Sequence, residues 1–270
     1  MVKKTTLWGA AAGAALGTTA MTAQATNGDQ MLGVTATQWG MAGAVTVAPQ
    51  DAGTVLTNPA GLAVVEMEEF RADMGFGFLN PPRKVNGTTS DSDLYLIPSG
   101  AIAFRASDKL SVGLGMAGLS GMGVDVELAP GNNPQVVTTK QFYKIAPGFA
   151  YRLSDKLSWG AALNIDYQSL AMAMYAGNPA DPTNAMTNLQ LPQNQAYGFG
   201  GSFGLIYQAN ERLQFGASYT TKQSMEEFEW NAFNGRYSMT MDAPAQLAVG
   251  LAYRPDPTLL IEADVKQIWF

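Results

Sequence analysis

The stretch GFAYRLSDKLSWGAAL, residues 148–163, alternates large and small side chains on both sides of a short polar turn. After the turn, Leu157, Trp159, Ala161 and Leu163 occupy one set of alternate positions, and serine, glycine and alanine occupy the other. Successive side chains of a β-strand point to opposite faces, so this period of two predicts two antiparallel strands joined by a tight turn.

Three further segments repeat this pattern of aromatic residue, polar turn and renewed alternation: AIAFRASDKLSVGLGM (101–116), FGLIYQANERLQFGAS (203–218) and VGLAYRPDPTLLIEAD (249–264). A repeat of this size also occurs in solenoids and propellers, but each unit here is a tight hairpin followed by a long polar connection. The alternation predicts nine strands, at residues 68–79, 94–105, 110–120, 141–152, 157–169, 195–208, 212–222, 236–254 and 258–270.

The strands are about twice the usual ~5–6 residues of a soluble sandwich, which is the alternative all-β architecture. Tight turns alternate with long predicted loops at 117–140, 168–194 and 223–236, and many strands end in aromatic residues. These features are typical of outer-membrane barrels. We therefore predict an all-β fold, an antiparallel transmembrane β-barrel, over residues 67–270.

The N-terminus indicates export. Residues 1–25 combine a basic start at Lys3 and Lys4, an apolar core and an Ala23-Gln24-Ala25 cleavage site, as in a bacterial Sec signal peptide. The apolar core is too short for a membrane helix. Localisation in the bacterial outer membrane is expected.

Composition excludes several function classes. Removal of Lys3 and Lys4 leaves 14 basic and 22 acidic residues, a net charge of −8, which argues against a nucleic-acid partner. The chain has neither cysteine nor histidine, so no disulfide, Ser-His-Asp triad, cysteine nucleophile or usual zinc site is expected. No catalytic residue, metal site or cofactor is predicted, and the protein is not expected to be an enzyme.

Nine is an odd number, whereas single-chain bacterial barrels close with an even number of strands. We therefore expect that C-terminal strands are missing from this sequence. The alternative is that Phe270 is a natural terminal aromatic of the kind that the barrel-assembly machinery reads.

Residues 26–66 precede the first strand and are rich in small residues, with few charges. Such a segment either hangs in the periplasm or folds back into the barrel as a plug. Gly53 and Ala60 would allow close backbone packing, and Asn58-Pro59 favours a turn. The composition favours the plug.

The segment GMAGAVTVAPQDAGTVLTNPAGLA, residues 40–63, resembles the N-terminal hatch of the FadL family of outer-membrane transporters for long-chain fatty acids and other hydrophobic compounds. The resemblance implies a 14-stranded barrel closed by a hatch. It also implies passive uptake: a hydrophobic molecule, either a fatty acid or an aromatic hydrocarbon, enters from outside, and hatch movement releases it through a gap at a kink in the third strand.

The resemblance assigns hatch positions to Asp51, Gly53, Asn58, Pro59 and Ala60. The Asn-Pro-Ala turn either anchors and moves the hatch near the gap or simply fixes the plug in place. In the third strand, Gly118 and Gly121 interrupt the alternation and are candidates for the kink, because glycine weakens strand pairing. Gly113 and Gly115 keep the alternation and are expected to face inward, where they would make room for the hatch.

The predicted outer loops are rich in methionine and leucine, which suit varied hydrophobic ligands. Candidate ligand contacts are Met116, Leu119, Met122, Lys144, Met172 and Met174. These apolar residues would serve equally to pack the loops together. Lys144 would meet a fatty carboxylate or pair with an internal acid.

The expected partners are the hydrophobic ligand, outer-membrane lipid and lipopolysaccharide, and the barrel-assembly machinery, with the protein as a monomer. The rival functions are a porin, a structural or adhesive barrel, and an outer-membrane phospholipase. The hatch-like segment argues against an open porin, and the lack of histidine argues against the phospholipase.

Overall fold

The computed structural model describes residues 30–127, 135–177, 183, 186–232 and 235–270, so the signal peptide expected at 1–25 lies outside the described residues. The N-terminal segment contains helices α1 (Ala36–Gly40) and α2 (Thr54–Thr57) and a 3₁₀ helix (Pro59–Ala63). The strands are β1 (Phe70–Leu79), β2 (Lys84–Val85), β3 (Thr88–Thr89), β4 (Tyr95–Arg105), β5 (Leu110–Glu127), β6 (Gln135–Arg152), β7 (Leu157–Gly177), β8 (Met186–Gln208), β9 (Leu213–Thr220), β10 (Ser224–Met225), β11 (Glu227–Ala232), β12 (Gly235–Thr240), β13 (Ala245–Asp256) and β14 (Leu259–Trp269).

Nine long antiparallel strands form one sheet in the order β1-β4-β5-β6-β7-β8-β9-β13-β14, and β10 adds to β8. The predicted nine-stranded antiparallel architecture is therefore confirmed. Each of these nine strands pairs with the next of the nine along the chain, and the short strands pair as β2 with β3 and β11 with β12. No helix within the described ranges is long and apolar enough to span a membrane.

The two faces of the sheet differ as the alternation predicts. On β8, Tyr197, Phe199, Phe203 and Leu205 are half exposed, whereas the intervening Ala196 and Ser202 are buried. The same contrast recurs on the other long strands, with large apolar side chains on the outer face and small ones on the inner face. An outer face of this kind suits contact with lipid.

The loops predicted at 117–140 and 168–194 are wrong over most of their length. β5 continues to Glu127 and pairs with β6 from Gln135, and β7 continues to Gly177 and pairs with β8 from Met186. The start of β6 has the β-branched run VVTT at 136–139, and each extension finds its partner strand directly opposite. The connections themselves, at 128–134 and mostly at 178–185, lie outside the described residues.

The single strand predicted at 236–254 is also wrong, since it divides into β12 and β13. The break falls at Asp242-Ala243-Pro244, where proline has no N–H for a ladder and Asp242 instead accepts a hydrogen bond from the Met225 N–H at 2.9 Å. β12 turns away to pair with β11, so the predicted loop at 223–236 contains a small hairpin.

The N-terminal segment, residues 30–66, packs against the inner face. Val55, Leu56 and Leu62 form one buried cluster with inner-face alanines of β4, β5, β6 and β7. A β-carbon at Gly113 would lie 2.8 Å from Leu62, and one at Gly115 would lie 2.7 Å from Val55. These two glycines face inward, as the sequence predicted, and leave room for the segment.

Candidate functional site

Two carboxylates of β14 hold the middle of the N-terminal segment by its backbone. Asp264 accepts hydrogen bonds from the N–H groups of Val45 and Thr46, both at 2.9 Å. Glu262 accepts hydrogen bonds from the next two N–H groups, those of Val47 and Ala48, at 2.8 and 3.1 Å. We call the long-stranded sheet the wall. Its two acids therefore accept hydrogen bonds from four successive N–H groups that have no partner in a helix or strand.

β1 supplies a second attachment. Asp73 accepts a hydrogen bond from the Ala52 N–H at 2.8 Å and forms an ion pair with Arg71, whose Nε lies 2.7 Å from its Oδ2. The same Arg71 guanidinium donates to the carbonyl of Gln50 at 2.7 Å. Charged side chains of the wall therefore bind backbone atoms of the N-terminal segment. For this reason the segment needs few charged side chains of its own.

Asn58, Pro59 and Ala60 lie where the segment meets β7 and β8, and all three are buried. The Asn58 side chain donates to the carbonyl of Thr46 at 2.6 Å and accepts from the Ala60 N–H at 3.1 Å, capping the 3₁₀ helix. A β-carbon at Gly160 on β7 would lie 2.5 Å from the Ala60 nitrogen. The Asn-Pro-Ala turn is thus seated directly on the wall.

Asp51 and Gly53 belong to the interior of the segment. Asp51 is 2% exposed and accepts a hydrogen bond from the Thr35 hydroxyl at 2.5 Å. A β-carbon at Gly53 would lie 2.5 Å from the Thr35 methyl group, so a larger residue does not fit there. The two positions join α1 to α2, and neither is among the wall contacts just described.

A gap separates β4 from β5 at the end of the sheet away from the tight turns. Their ladder ends at the pair Ser99–Ala117, although both strands continue. Continuing the register would place Pro98 opposite Gly118, and proline has no N–H to donate. We call the unpaired region between residues 96–98 of β4 and residues 118–122 of β5 the window.

β5 is irregular at the same place on its other side. Its register with β6 shifts between Gly118, opposite Tyr143, and Ser120, opposite Phe142, so Leu119 is an extra, bulged residue. Gly121 lies within the ladder again, opposite Gln141. Of the two glycines predicted at a kink, Gly118 borders the irregularity and Gly121 follows it.

The start of the described chain crosses the window on the inner side. The Met31 N–H donates to the carbonyl of bulged Leu119 at 3.1 Å, and Gln30 forms an antiparallel bridge with Ser120. From the opposite wall, the Gln246 side chain on β13 donates to the Gln30 side chain at 2.8 Å. This short segment therefore spans the interior between β13 and β5.

Three cavities follow one another through the window. An inner cavity of about 60 Å³ lies between the N-terminal segment and the wall, and a window cavity of about 100 Å³ lies between β4, β5 and β6. Met31 lines both of them. The window cavity shares Leu96 and Pro98 with a groove of about 660 Å³ on the outer face, which is lined by apolar side chains of β1, β4 and β5.

The candidate ligand residues divide between these spaces. Leu119 and Lys144 line the inner cavity; Lys144 is 4% exposed, and its cross-strand partner is Asp166. Met116 lies on the outer face in the outer groove, so its assignment to an outer loop is wrong, because β5 continues past it. The side chain of Met122 lies outside the described residues.

Met172 and Met174 lie on β7, since the loop predicted there is strand. Met172 packs against a buried apolar cluster made by Leu170, Ala196 and the hairpin residues Phe228 and Trp230. Met174 pairs with Leu189 on β8. These methionines therefore stand together at the far end of β7 and β8, separate from Leu119 and Lys144.

Sequence reasoning missed Met31, Tyr95 and Pro98 as part of the site. Pro98 carried a visible signal, because proline inside an alternating run marks an interrupted ladder. Met31 carried none, since its position depends on how the whole segment folds back. Within the described residues, no group of three or more acidic side chains is arranged to hold a metal ion.

Comparison with known proteins agrees with this architecture. The toluene transporter TbuX of Ralstonia pickettii is similar, with a TM-score of 0.72 and 19% identity over 88% of this chain and 72% of that chain. The toluene transporter TodX of P. putida has a TM-score of 0.75 and 19% identity over 88% and 70% of the two chains. A Pseudomonas aeruginosa FadL homologue has a TM-score of 0.68 and 14% identity over 88% and 69%.

At these identities the likeness establishes the barrel fold. A search of curated proteins finds no significant match. The family described as "Outer membrane protein transport protein (OMPP1/FadL/TodX)" matches the sequence over residues 16–270. The chain therefore belongs to the OMPP1/FadL/TodX family of outer-membrane transport proteins.

Proposed function

We propose that the protein is a passive outer-membrane channel that takes up hydrophobic small molecules and releases them sideways through the window. The single observation that carries this proposal is the succession of inner cavity, window cavity and outer groove, joined through Met31 and then through Leu96 and Pro98. A lateral route leads from the interior to the lipid-facing side, which suits molecules that partition into the membrane.

The apolar cluster at the far ends of β7 and β8 supports a first contact for such molecules. Met172 and Leu191 line a shallow groove beside this cluster, and neither side chain is fully buried. Methionine adapts to ligands of varied shape, and clustered apolar side chains at a surface often mark binding sites. The ligand then moves inward along the wall to the inner cavity.

Movement of the hatch opens the route in this proposal. Met31 separates the inner cavity from the window cavity. Among the described residues, its segment contacts β5 through the Met31–Leu119 hydrogen bond and the Gln30–Ser120 bridge, and β13 through the Gln246–Gln30 hydrogen bond. The rest of the hatch has many more attachments, among them those of Glu262, Asp264 and Asp73. Because Met31 lines both cavities, we assign the movement to the Gln30–Met31 end.

We favour aromatic hydrocarbons as the substrate class. The window cavity of about 100 Å³ is small and mainly apolar. Similar folds include the toluene transporters TbuX and TodX and the monoaromatic hydrocarbon channel CymD. Long-chain fatty acids are the second candidate, favoured by Lys144, because its ammonium group on the inner cavity would attract a carboxylate.

The test is uptake of labelled toluene and labelled oleate by vesicles that contain the purified protein, together with ion conductance in planar bilayers. Toluene uptake above that of protein-free vesicles, with little steady conductance, is the expected result. Large steady conductance without selective uptake would instead identify a porin. If oleate is the substrate, Lys144→Met should weaken oleate uptake and leave toluene uptake unchanged.

A further inference from the structure

A tyrosine hydroxyl closes the window at the end away from the tight turns. The Tyr95 hydroxyl of β4 lies 3.1 Å from the carbonyl oxygen of Gly123 on β5, so a side chain joins the two strands where their backbone ladder is absent. The same hydroxyl accepts a hydrogen bond from Arg83 at 2.9 Å and lies 2.6 Å from the Ser92 Oγ. The Ser92 carbonyl oxygen, at 3.0 Å, shares the hydroxyl proton with the Gly123 carbonyl. The position of the hydroxyl is therefore fixed from the connection between β1 and β4.

The connection between β1 and β4 also forms hydrogen bonds with β5 at Asp125. The N–H of Asp125 donates to the Ser90 hydroxyl at 3.0 Å, and the N–H of Asp91 donates to the carbonyl of Asp125 at 2.8 Å. Ser90 is 2% exposed. We call Ser90, Asp91, Tyr95 and their partners on β5 the latch.

Gly123 fits the latch because it has no side chain. A β-carbon at this position would lie 2.5 Å from the Tyr95 hydroxyl oxygen and 3.3 Å from the Ser92 Oγ. A larger residue would displace the hydroxyl. The glycine on β5 and the tyrosine on β4 therefore form a matched pair.

We propose that Tyr95 is a positioning residue that sets the outer edge of the window and thereby the largest molecule that leaves through it. This inference rests on the proposed lateral release. The ladder pair Ser99–Ala117 bounds the window at one end, and the Tyr95–Gly123 contact bounds it at the other. Within the sheet, each edge of the opening is paired only on its far side, with β1 or with β6. Of the latch contacts, Tyr95–Gly123 lies nearer to the opening than the hydrogen bonds at Asp125, so it sets how far the two edges separate.

The test is uptake by vesicles containing the protein, with toluene as the narrow probe and 1,3,5-trimethylbenzene as the wide probe. Tyr95→Phe removes only the hydroxyl and should raise the ratio of wide-probe to narrow-probe uptake about fivefold, the factor equivalent to the ~1 kcal/mol of one hydrogen bond. General destabilisation would change both rates together and leave the ratio constant. An unchanged ratio overturns the proposal.

Two further variants make the result specific. Tyr207→Phe is the matched control, because Tyr207 lies on the outer face of β8, away from the window and the latch, and it should leave the ratio unchanged. Gly123→Ala should raise the ratio as Tyr95→Phe does, and the double variant should equal Tyr95→Phe alone, since both act on one contact. Additive effects, or an equal shift in Tyr207→Phe, would contradict the assignment.

If the wild-type protein takes up neither probe, the proposed function fails. If the wild-type protein takes up toluene selectively and the ratio does not respond to Tyr95→Phe, only the role of Tyr95 fails.

Discussion

Asn58 of the N-terminal segment and Gly204 of β8 fit together without space between them, and a β-carbon at residue 204 would overlap the side-chain oxygen of Asn58. Asn58 is fully buried, and its amide also reaches toward the carbonyl of Leu205 at 3.5 Å. The packing of Asn58 of the N-terminal segment and that of Gly204 of the sheet therefore depend on each other.

The first prediction concerns this contact. Gly204→Ala should destabilise the protein by about 1–3 kcal/mol, because an added methyl group overpacks a closed interface. The measurement is thermal unfolding in detergent, together with the rate of protease cleavage in residues 45–60. Gly201→Ala is the matched control on the same strand, since its β-carbon would meet no atom closer than 3.5 Å. Equal stability of the two variants would contradict the packing described here.

A second prediction concerns the acids of β14. Replacing Glu262 and Asp264 by Gln and Asn keeps their shape but removes the charge that strengthens the hydrogen bonds from residues 45–48. The amide hydrogens of these four residues should exchange about fivefold faster, which corresponds to ~1 kcal/mol of lost protection. Hydrogen exchange read by mass spectrometry measures this.

Glu211→Gln combined with Asp155→Asn, both in exposed tight turns, serves as the control for the loss of two negative charges and should leave this exchange unchanged. If exchange at residues 45–48 does not respond to the β14 variants, the attachment of the N-terminal segment by Glu262 and Asp264 is wrong.

A third prediction concerns pH and the connection between β12 and β13. The hydrogen bond from Lys222 at 2.5 Å, and then that from the Met225 N–H, lower the pKa of Asp242 from its ordinary value of 3.8. A group whose pKa is lowered by folding stabilises the folded state above its ordinary pKa, and this contribution is lost as pH falls through the folded pKa. The wild-type protein should therefore be more stable than Asp242→Asn at neutral pH, and the difference should shrink below pH 3.8.

Thermal unfolding of both proteins across this pH range measures the effect. Asp108→Asn, in an exposed tight turn, is the control substitution. A difference between wild type and Asp242→Asn that is the same at every pH would show that the carboxylate charge does not stabilise this connection.

Local alternation was enough to predict the strands and their faces, because the period of two at Trp159, Ala161 and Leu163 depends only on neighbouring residues. It failed between Gly118 and Ser120, where the strand continues through a bulge, and at Pro244, where one apolar alternation hides a break between two strands. At both places the outcome depends on pairing with residues elsewhere in the chain.

The residues of the site were harder to predict for the same reason. Asn58 and Pro59 carried a recognisable local pattern, whereas Asp264 meets Val45 across most of the chain length, and nothing local to either residue indicates the other. The window requires that Pro98 and Gly118 come together, which only the register of β4 with β5 decides.

The most direct test of lateral release is a reversible disulfide across the window. The sequence contains no cysteine, and an added β-carbon at Gly118 would lie 3.3 Å from the Ile97 side chain, so Ile97→Cys with Gly118→Cys places two sulfurs within bonding reach. Phe104→Cys with Val112→Cys joins the same two strands inside their ladder and is the matched control. Toluene uptake by vesicles should fall to the protein-free level when the first pair is oxidised, return on reduction, and remain unaffected by the control pair. Full uptake through the oxidised Ile97–Gly118 variant would contradict release through the window.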